Sequence, residues 1–343
     1  MKQIIVCSIF FLAVIFNLGC KSIVKENSDS IKNISIAQNI TYNKQNYPLY
    51  MHSLNSSNEY EEFLYEKPPQ RIIAIWQNSI ETLLALGVGD RIVAGIGIPD
   101  RKYLLPEYQE AYDKIPYTSF ENLDLETIIM MHPDFILGWY STFNIKVLRN
   151  TEFWKKRNVN CYIAPSSVPF TDRHILNDEY QYILDIGKIV DKEERAFELV
   201  QQIKDEISFV SERTENIGYK PKVLIIEIVG KEMRVYGKDT LAGDIVRSLH
   251  GELLDLKGSI ISMEQLREID PDTIFLVLTE SQYDNKEINI KWIKENKALK
   301  RLKCVQEDRL YTVPLYSVYS SGIRTLDGVR TIAHGLYPEL YGE

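Results

Sequence analysis

The chain has 343 residues, 45% of them hydrophobic and 26% charged, with a formal net charge of -8. These are ordinary proportions for a globular protein long enough to bury a core in two domains. The acidic balance and the lack of any Lys/Arg-rich block argue against nucleic acid as a partner, because phosphate binding needs a basic surface. An anionic small ligand stays compatible if a few arginines are focused in a cleft.

At the start, Lys2 precedes an apolar run from Ile4 to Phe16, too short for a comfortable membrane span, and Asn17-Leu18-Gly19-Cys20 follows. This predicts a lipoprotein signal over residues 1–19, with Cys20 lipidated and a polar tether over 20–39. Asn17 departs from the apolar residue usual there, and a plain secretory signal is the alternative.

Residues 40–67 alternate Tyr, Leu and Phe with Asn/Ser punctuation, as a β-ribbon would, and Pro68-Pro69 stops it. Arg71 to Ile75 predicts a buried parallel strand, Ser79 to Leu86 a helix closed by Gly87, and Ile92 to Ile96 the next strand. Strands are also expected at Phe135–Leu137 and Val159–Ile163. From Glu179 to Asn216, Ala196, Val200, Ile203, Ile207 and Val210 recur at helical spacing and predict one long amphipathic helix. Beyond it, strands are predicted at Val223–Ile228, Met233–Gly237, Ile274–Leu278 and Leu310–Val313. Helices are predicted at Asp244–Leu249 and Thr325–Leu336.

One phrase occurs twice. Leu123 to Leu137 and Ile261 to Phe275 each pair a short polar capping residue, Asp124 or Ser262, with Glu126 or Glu264 in the first helical turn and a closing Pro-Asp before an apolar strand. The duplication predicts an α/β protein of two lobes, each with a mainly parallel sheet flanked by helices, joined by one long helix around a ligand cleft. The expected divisions are an N-terminal lobe at 40–185, a linking helix at 186–217 and a C-terminal lobe at 218–343. Cys161 and Cys304 fall in different lobes and are expected as free, buried thiols rather than a bridge.

Ligand contacts in such a sheet come from loops at the carboxyl ends of parallel strands. That rule selects Trp76, Gln77 and Asn78, then Arg101 and Tyr103, Trp139 and Tyr140, and Ser166 and Arg173 in the first lobe. In the second it selects Tyr236, Lys238, Tyr283, Tyr316, Tyr319 and Arg324. Isolated aromatics more often pack than bind, and Arg324 has the alternative of capping the last helix or holding the 316–321 loop. His52, His132, His174, His250 and His334 are scattered, without the convergence a metal site needs.

Pro69 to Ile75, Glu81 to Gly87, the two Glu-to-Pro-Asp copies and Arg324-Thr325-Leu326-Asp327-Gly328 together resemble the helical-backbone substrate-binding proteins of ABC importers for ferric siderophores, haem and vitamin B12. The resemblance spans roughly residues 67 to 340. It implies a binding protein, expected as a monomer without cofactor, whose ligand is an iron chelate, haem or corrinoid. It also implies an ABC permease dimer with its ATPase as partner, docked through Glu126 and Glu264. Those two glutamates have a plainer role as first-turn residues favouring the helix dipole. Leu137-Gly138-Trp139-Tyr140 resembles the strand-end aromatic that stacks on a ligand in that family, and Arg or Lys would neutralise an anionic ferric complex. A two-lobed enzyme and a surface adhesin are the competing classes. No GxSxG, P-loop or complete GxGxxG occurs in the sequence.

Overall fold

The computed structural model describes residues 47–121, 123–169, 173–230, 232–256 and 260–342. The expected signal, Cys20 and the tether lie outside these residues. In chain order, β1 (Leu49–Leu54) and β2 (Tyr60–Tyr65) form a hairpin, followed by β3 (Ile72–Ile75), α1 (Gln77–Ala85), β4 (Ile92–Ile96), α2 (Pro106–Tyr112) and β5 (Thr118–Ser119). Next come α3 (Leu125–Met130), β6 (Phe135–Gly138), α4 (Thr151–Lys155), β7 (Asn160–Ile163), α5 (Leu176–Ile189) and α6 (Glu193–Thr214). The second half holds β8 (Lys222–Val229), β9 (Glu232–Val235), α7 (Leu241–Ser248), β10 (Glu252–Leu253), β11 (Ile260–Ile261), α8 (Met263–Ile269) and β12 (Thr273–Leu278). It closes with α9 (Glu280–Tyr283), α10 (Lys286–Glu295), α11 (Lys303–Gln306), β13 (Leu310–Pro314) and α12 (Thr325–Leu336).

Two sheets result. The first runs β5-β4-β3-β6-β7 and is parallel throughout; the second runs β11-β9-β8-β12-β13, parallel except that β9 pairs antiparallel with both β8 and β11. Every residue of β3 and of β12 is buried, as strands covered on both faces by helices must be, which is why these segments are unbroken apolar runs. Each sheet has its own apolar layer. A third, larger core runs between the lobes, drawing Leu83, Leu86 and Tyr182 from one side and Val313, Ile323 and Val329 from the other.

The duplicated phrase folds the same way twice. The Asp124 carboxylate accepts from Thr127 N at 2.8 Å to cap α3, and the Ser262 hydroxyl accepts from Gln265 N at 3.2 Å to cap α8. Ile128 and Leu266 are the buried anchors of the two helices. His132 and Asp270, each before the proline, both take a left-handed turn, with φ of 46° and 43°. The Pro-Asp carboxylates then do more than end a helix. Asp134 accepts from the backbone N–H of Gln70 and Arg71 at 2.8 and 2.9 Å, and Asp272 accepts from Lys222 N at 2.9 Å, so each pins the start of the adjacent central strand, β3 or β8.

The expected linking helix at 186–217 differs at its start. Residues 186–189 belong to α5, and α6 begins at Glu193. Asp191 adopts a φ of 59° and the Lys192 N–H reaches back to the Gly187 carbonyl at 2.7 Å, a helix-ending arrangement that apolar spacing does not reveal. Gly187 is required there, since a Cβ would sit 2.3 Å from the Ala196 Cβ where α5 and α6 cross. Near its start α6 is fastened to the first lobe by Arg195, whose Nε donates to the Ala85 carbonyl at 3.1 Å. Farther along, Glu206 accepts from Arg330 of α12 at 3.0 Å. Cys161 and Cys304 are buried free thiols, with burial pushing Cys304 up to about 12.

Candidate ligand cleft

A cleft of about 390 Å³ opens between the lobes at the carboxyl ends of both sheets. One wall is built from the loops after β3, β4 and β6, which present Trp76, Gln77, Asn78, Tyr103 and Trp139. The other comes from the loops after β12 and β13, which present Glu280, Ser281, Tyr316 and Tyr319. A smaller chamber of about 230 Å³, lined by His174, Glu227, Arg234 and Tyr236 among others, adjoins it across Tyr319 and Ser320.

The aromatic floor is positioned from several directions. Trp76 and Trp139 lie 5.2 Å apart between ring centroids, tilted by 34°, and Tyr319 meets Trp139 edge-on at 5.9 Å. The Trp139 indole donates to Asn78 Oδ1 at 2.8 Å, which fixes its ring plane. Trp76 itself has a φ of 75°, an uncommon conformation for a large side chain. Gly97, at φ 98°, leaves it room: a Cβ there would fall 2.8 Å from the Trp76 ring. Gly97→Ala should therefore tilt Trp76 out of the floor and destabilise the fold by about 1–2 kcal/mol. Near-UV circular dichroism and thermal melting check this, and an unaltered tryptophan spectrum would contradict it.

Charge at the cleft is arranged differently from the sequence expectation. Arg324 is 5% exposed and turns away from the cavity. Its Nε lies 3.0 Å from Glu81 on α1, an NH donates to the Tyr103 carbonyl at 2.8 Å, and the guanidinium stacks 4.5 Å behind the Tyr316 ring. It thus fastens the lobes together, closer to the loop-holding alternative than to ligand contact. Burial pushes the Glu81 carboxyl up, and Arg324 with the Leu105 N–H and Gln77 draws it back only in part. A second buried carboxylate, Glu179 on α5, accepts from the Gly322 N–H at 2.6 Å, and burial pushes it up to about 7 against hydrogen bonds from Gly322, Ser166 and Ser321.

Of the other expected contacts, Arg101 is exposed and ion-paired with Asp113 at 2.9 Å, outside the wall. Tyr140, in the short 3-10 helix that follows Trp139, packs on the first lobe's own apolar layer and is not among the residues of the main wall. Arg173 is exposed and absent from the described wall of either chamber. Lys238 is paired with Asp255 at 3.1 Å, and Tyr283 faces a separate surface hollow. Ser166 is buried, its hydroxyl oxygen 3.1 Å from that of Ser320. Trp76, Tyr103, Trp139, Tyr316 and Tyr319 share the main cleft, with Tyr236 in the adjoining chamber, where its hydroxyl donates to Glu227 at 3.1 Å. Tyr103 also spans the gap, its hydroxyl donating to Asp284 at 2.7 Å beside Lys102. Gly97, Pro99, Phe120, Glu280, Ser281 and Leu315 are wall residues the sequence reading passed over. Gly97, Glu280 and Ser281 stand within three residues of a strand end and obey the same rule as those it selected.

Glu126 and Glu264 lie outside the cleft, exposed in the first turns of α3 and α8. A helix leading into a parallel strand runs back against it, so both first turns sit at the cleft-bearing end of their sheets. Glu264 is held below the ordinary carboxylate range by its own backbone N–H and by Ser262.

The family model described as periplasmic binding protein matches residues 72–316, which span both sheets and all of the described cleft wall except Tyr319 and Ser320. The chain belongs to the periplasmic binding protein family. A periplasmic binding protein from Veillonella parvula DSM 2008 is 42% identical and superimposes with a TM-score of 0.83, covering 87% of this chain and 94% of that one. The uncharacterized ABC transporter substrate-binding lipoprotein YvrC of Bacillus subtilis strain 168 is 22% identical over 293 residues, 82% of this chain and 85% of the relative. The petrobactin-binding protein YclQ of the same organism is 24% identical over 271 residues, 75% and 78% of the two chains. Membership of the periplasmic binding protein family implies work outside the cytoplasm, and binding rather than turnover.

Proposed function

We propose that this protein is the extracytoplasmic receptor of an ABC importer, anchored through lipid on Cys20, that captures a ferric siderophore or similar metal chelate and hands it to a permease dimer driven by an ATPase. The observation that carries the reading is the floor of Trp76, Trp139 and Tyr319 held between two fastened lobes. Flat rings offer large contact area at little entropy loss, which suits the rigid shell of a chelate. The buried Trp76 indole N–H, without an acceptor among the described residues, is a donor for a ligand carbonyl. Relatives include a petrobactin-binding protein and the vitamin B12-binding protein of Yersinia pestis, so a corrinoid is the second reading, favoured by the same flat floor, and haem the third. Glu126 and Glu264, one per lobe, are proposed to pair with arginines of the two permease subunits. Residues 40–185 and 218–343 are the proposed lobes, and the protein is proposed to act as a monomer.

The test is tryptophan fluorescence titration of the mature protein with ferric siderophores, cobalamin and haem. At least one should quench emission saturably. Trp139→Ala should then weaken that ligand by about ten- to a hundredfold, the value of a central aromatic contact. Turnover of an ester or phosphate substrate, with no chelate bound, would return the protein to the enzyme class.

A further inference from the structure

Taking the chelate reading of the cleft as its basis, we infer that this cleft selects chelates of zero or positive net charge and rejects strongly anionic ones. Among the described residues of the main wall, Glu280 is the one side chain that carries charge at neutral pH. It stands half-buried at the start of α9, directly after the β12 strand end. Three cations on the neighbouring loops are engaged elsewhere, and Arg173 is exposed and absent from the described wall. Lys102 lies 2.7 Å from Asp284, Arg324 is held by Glu81 and Asp327, and Arg101 is held by Asp113. The adjoining chamber carries one formal charge of each sign, Arg234 and Glu227, which stand opposite each other in the β8–β9 ladder. The phenols of Tyr103, Tyr316 and Tyr319 stay protonated, as the Asp284 hydrogen bond raises the first and burial the others.

A ligand entering this cleft thus loses water against aromatic faces and meets one carboxylate. Desolvating a multiply charged anion there is unfavourable, while the exposed π-faces attract cations. The charge of a ferric chelate is set by its donors: three hydroxamates cancel Fe(III), whereas three catecholates leave three negative charges. The cleft therefore fits hydroxamate-type complexes, or other neutral to cationic macrocyclic chelates, over tris-catecholates.

The experiment titrates the mature protein by fluorescence with three iron(III) complexes: a linear trihydroxamate bearing a free ammonium, its neutral N-acetyl form, and a tris-catecholate. The first two should bind, with the trianion at least about a hundredfold weaker in low salt and the gap narrowing as ionic strength rises. Glu280→Gln should improve trianion binding about tenfold relative to the neutral complex, and Glu280→Lys further. Tris-catecholate binding as tight as the neutral form, or a gap indifferent to Glu280, overturns the charge selection and leaves chelate capture standing. Quenching by none of these complexes, nor by cobalamin or haem, removes the chelate reading and the selection with it.

Discussion

Replacing Glu126 and Glu264 together by alanine is expected to abolish uptake by the assembled importer while leaving chelate affinity within about twofold. Neither residue lines the cleft, and both are exposed on short helices at the same end of their sheets. One carboxylate per lobe offers a two-point contact to a two-fold partner, and charge-assisted pairs of this kind govern both encounter and residence. Each single change should lower uptake at least tenfold, and the pair more than either. Transport into vesicles carrying the permease and ATPase, measured beside fluorescence binding, separates the outcomes. Weakened chelate binding would place these residues at the pocket instead. Normal uptake with only a lower melting temperature would reduce them to helix-dipole residues, since Asp124 and Ser262 already cap α3 and α8.

The second large effect lies inside the molecule. Arg324→Met leaves Glu81, fully buried, without its cation, and breaking such a pair from one side costs about 3–5 kcal/mol. In a chain of this size that corresponds to a fall in melting temperature on the order of 10 °C. The double change Glu81→Leu with Arg324→Met should recover most of the loss, because the apolar pair removes the stranded carboxylate along with the guanidinium. The pH dependence has a definite sign. Glu81 and Glu179 both have folded-state values raised above the ordinary 4.5. The folded protein therefore holds protons that the unfolded chain releases, and their contribution, full at acid pH, is lost as pH rises, for Glu179 through about 7. Arg324→Met should steepen this trend by raising Glu81 further. A variant equally stable at pH 5.5 and 8 would contradict the assignment.

Much of the architecture was legible because it rests on patterns a linear sequence preserves. Ile72 to Ile75 and Ile274 to Leu278 are buried on both faces, so composition alone marks them as central parallel strands. The twofold phrase encoded the two sheets, down to the matched carboxylates whose strand-pinning role emerged only with coordinates. Trp76, Trp139 and Tyr319 followed from strand ends. The fate of the arginines was not legible. Arg324 points away from the ligand space because Glu81 is buried on α1 among apolar neighbours, and sequence spacing carries no record of a partner more than two hundred residues away. Tyr140, one residue past Trp139, packs on the first lobe's apolar layer, a placement that strand-end position alone does not distinguish. Glu280 and Ser281 were overshadowed by Tyr283, an aromatic chosen for its type rather than its place.

The core that runs unbroken from one lobe to the other, tied by Arg324 to Glu81 and by Gly322 to Glu179, sets the energetics of cargo release. A jaw with independent halves could be prised apart cheaply. Here any wide gape would bring Leu83, Tyr182 and Ile323 into water and strand two acidic groups midway. Small sliding displacements, with the clamshell left nearly shut, therefore cost far less than wide opening.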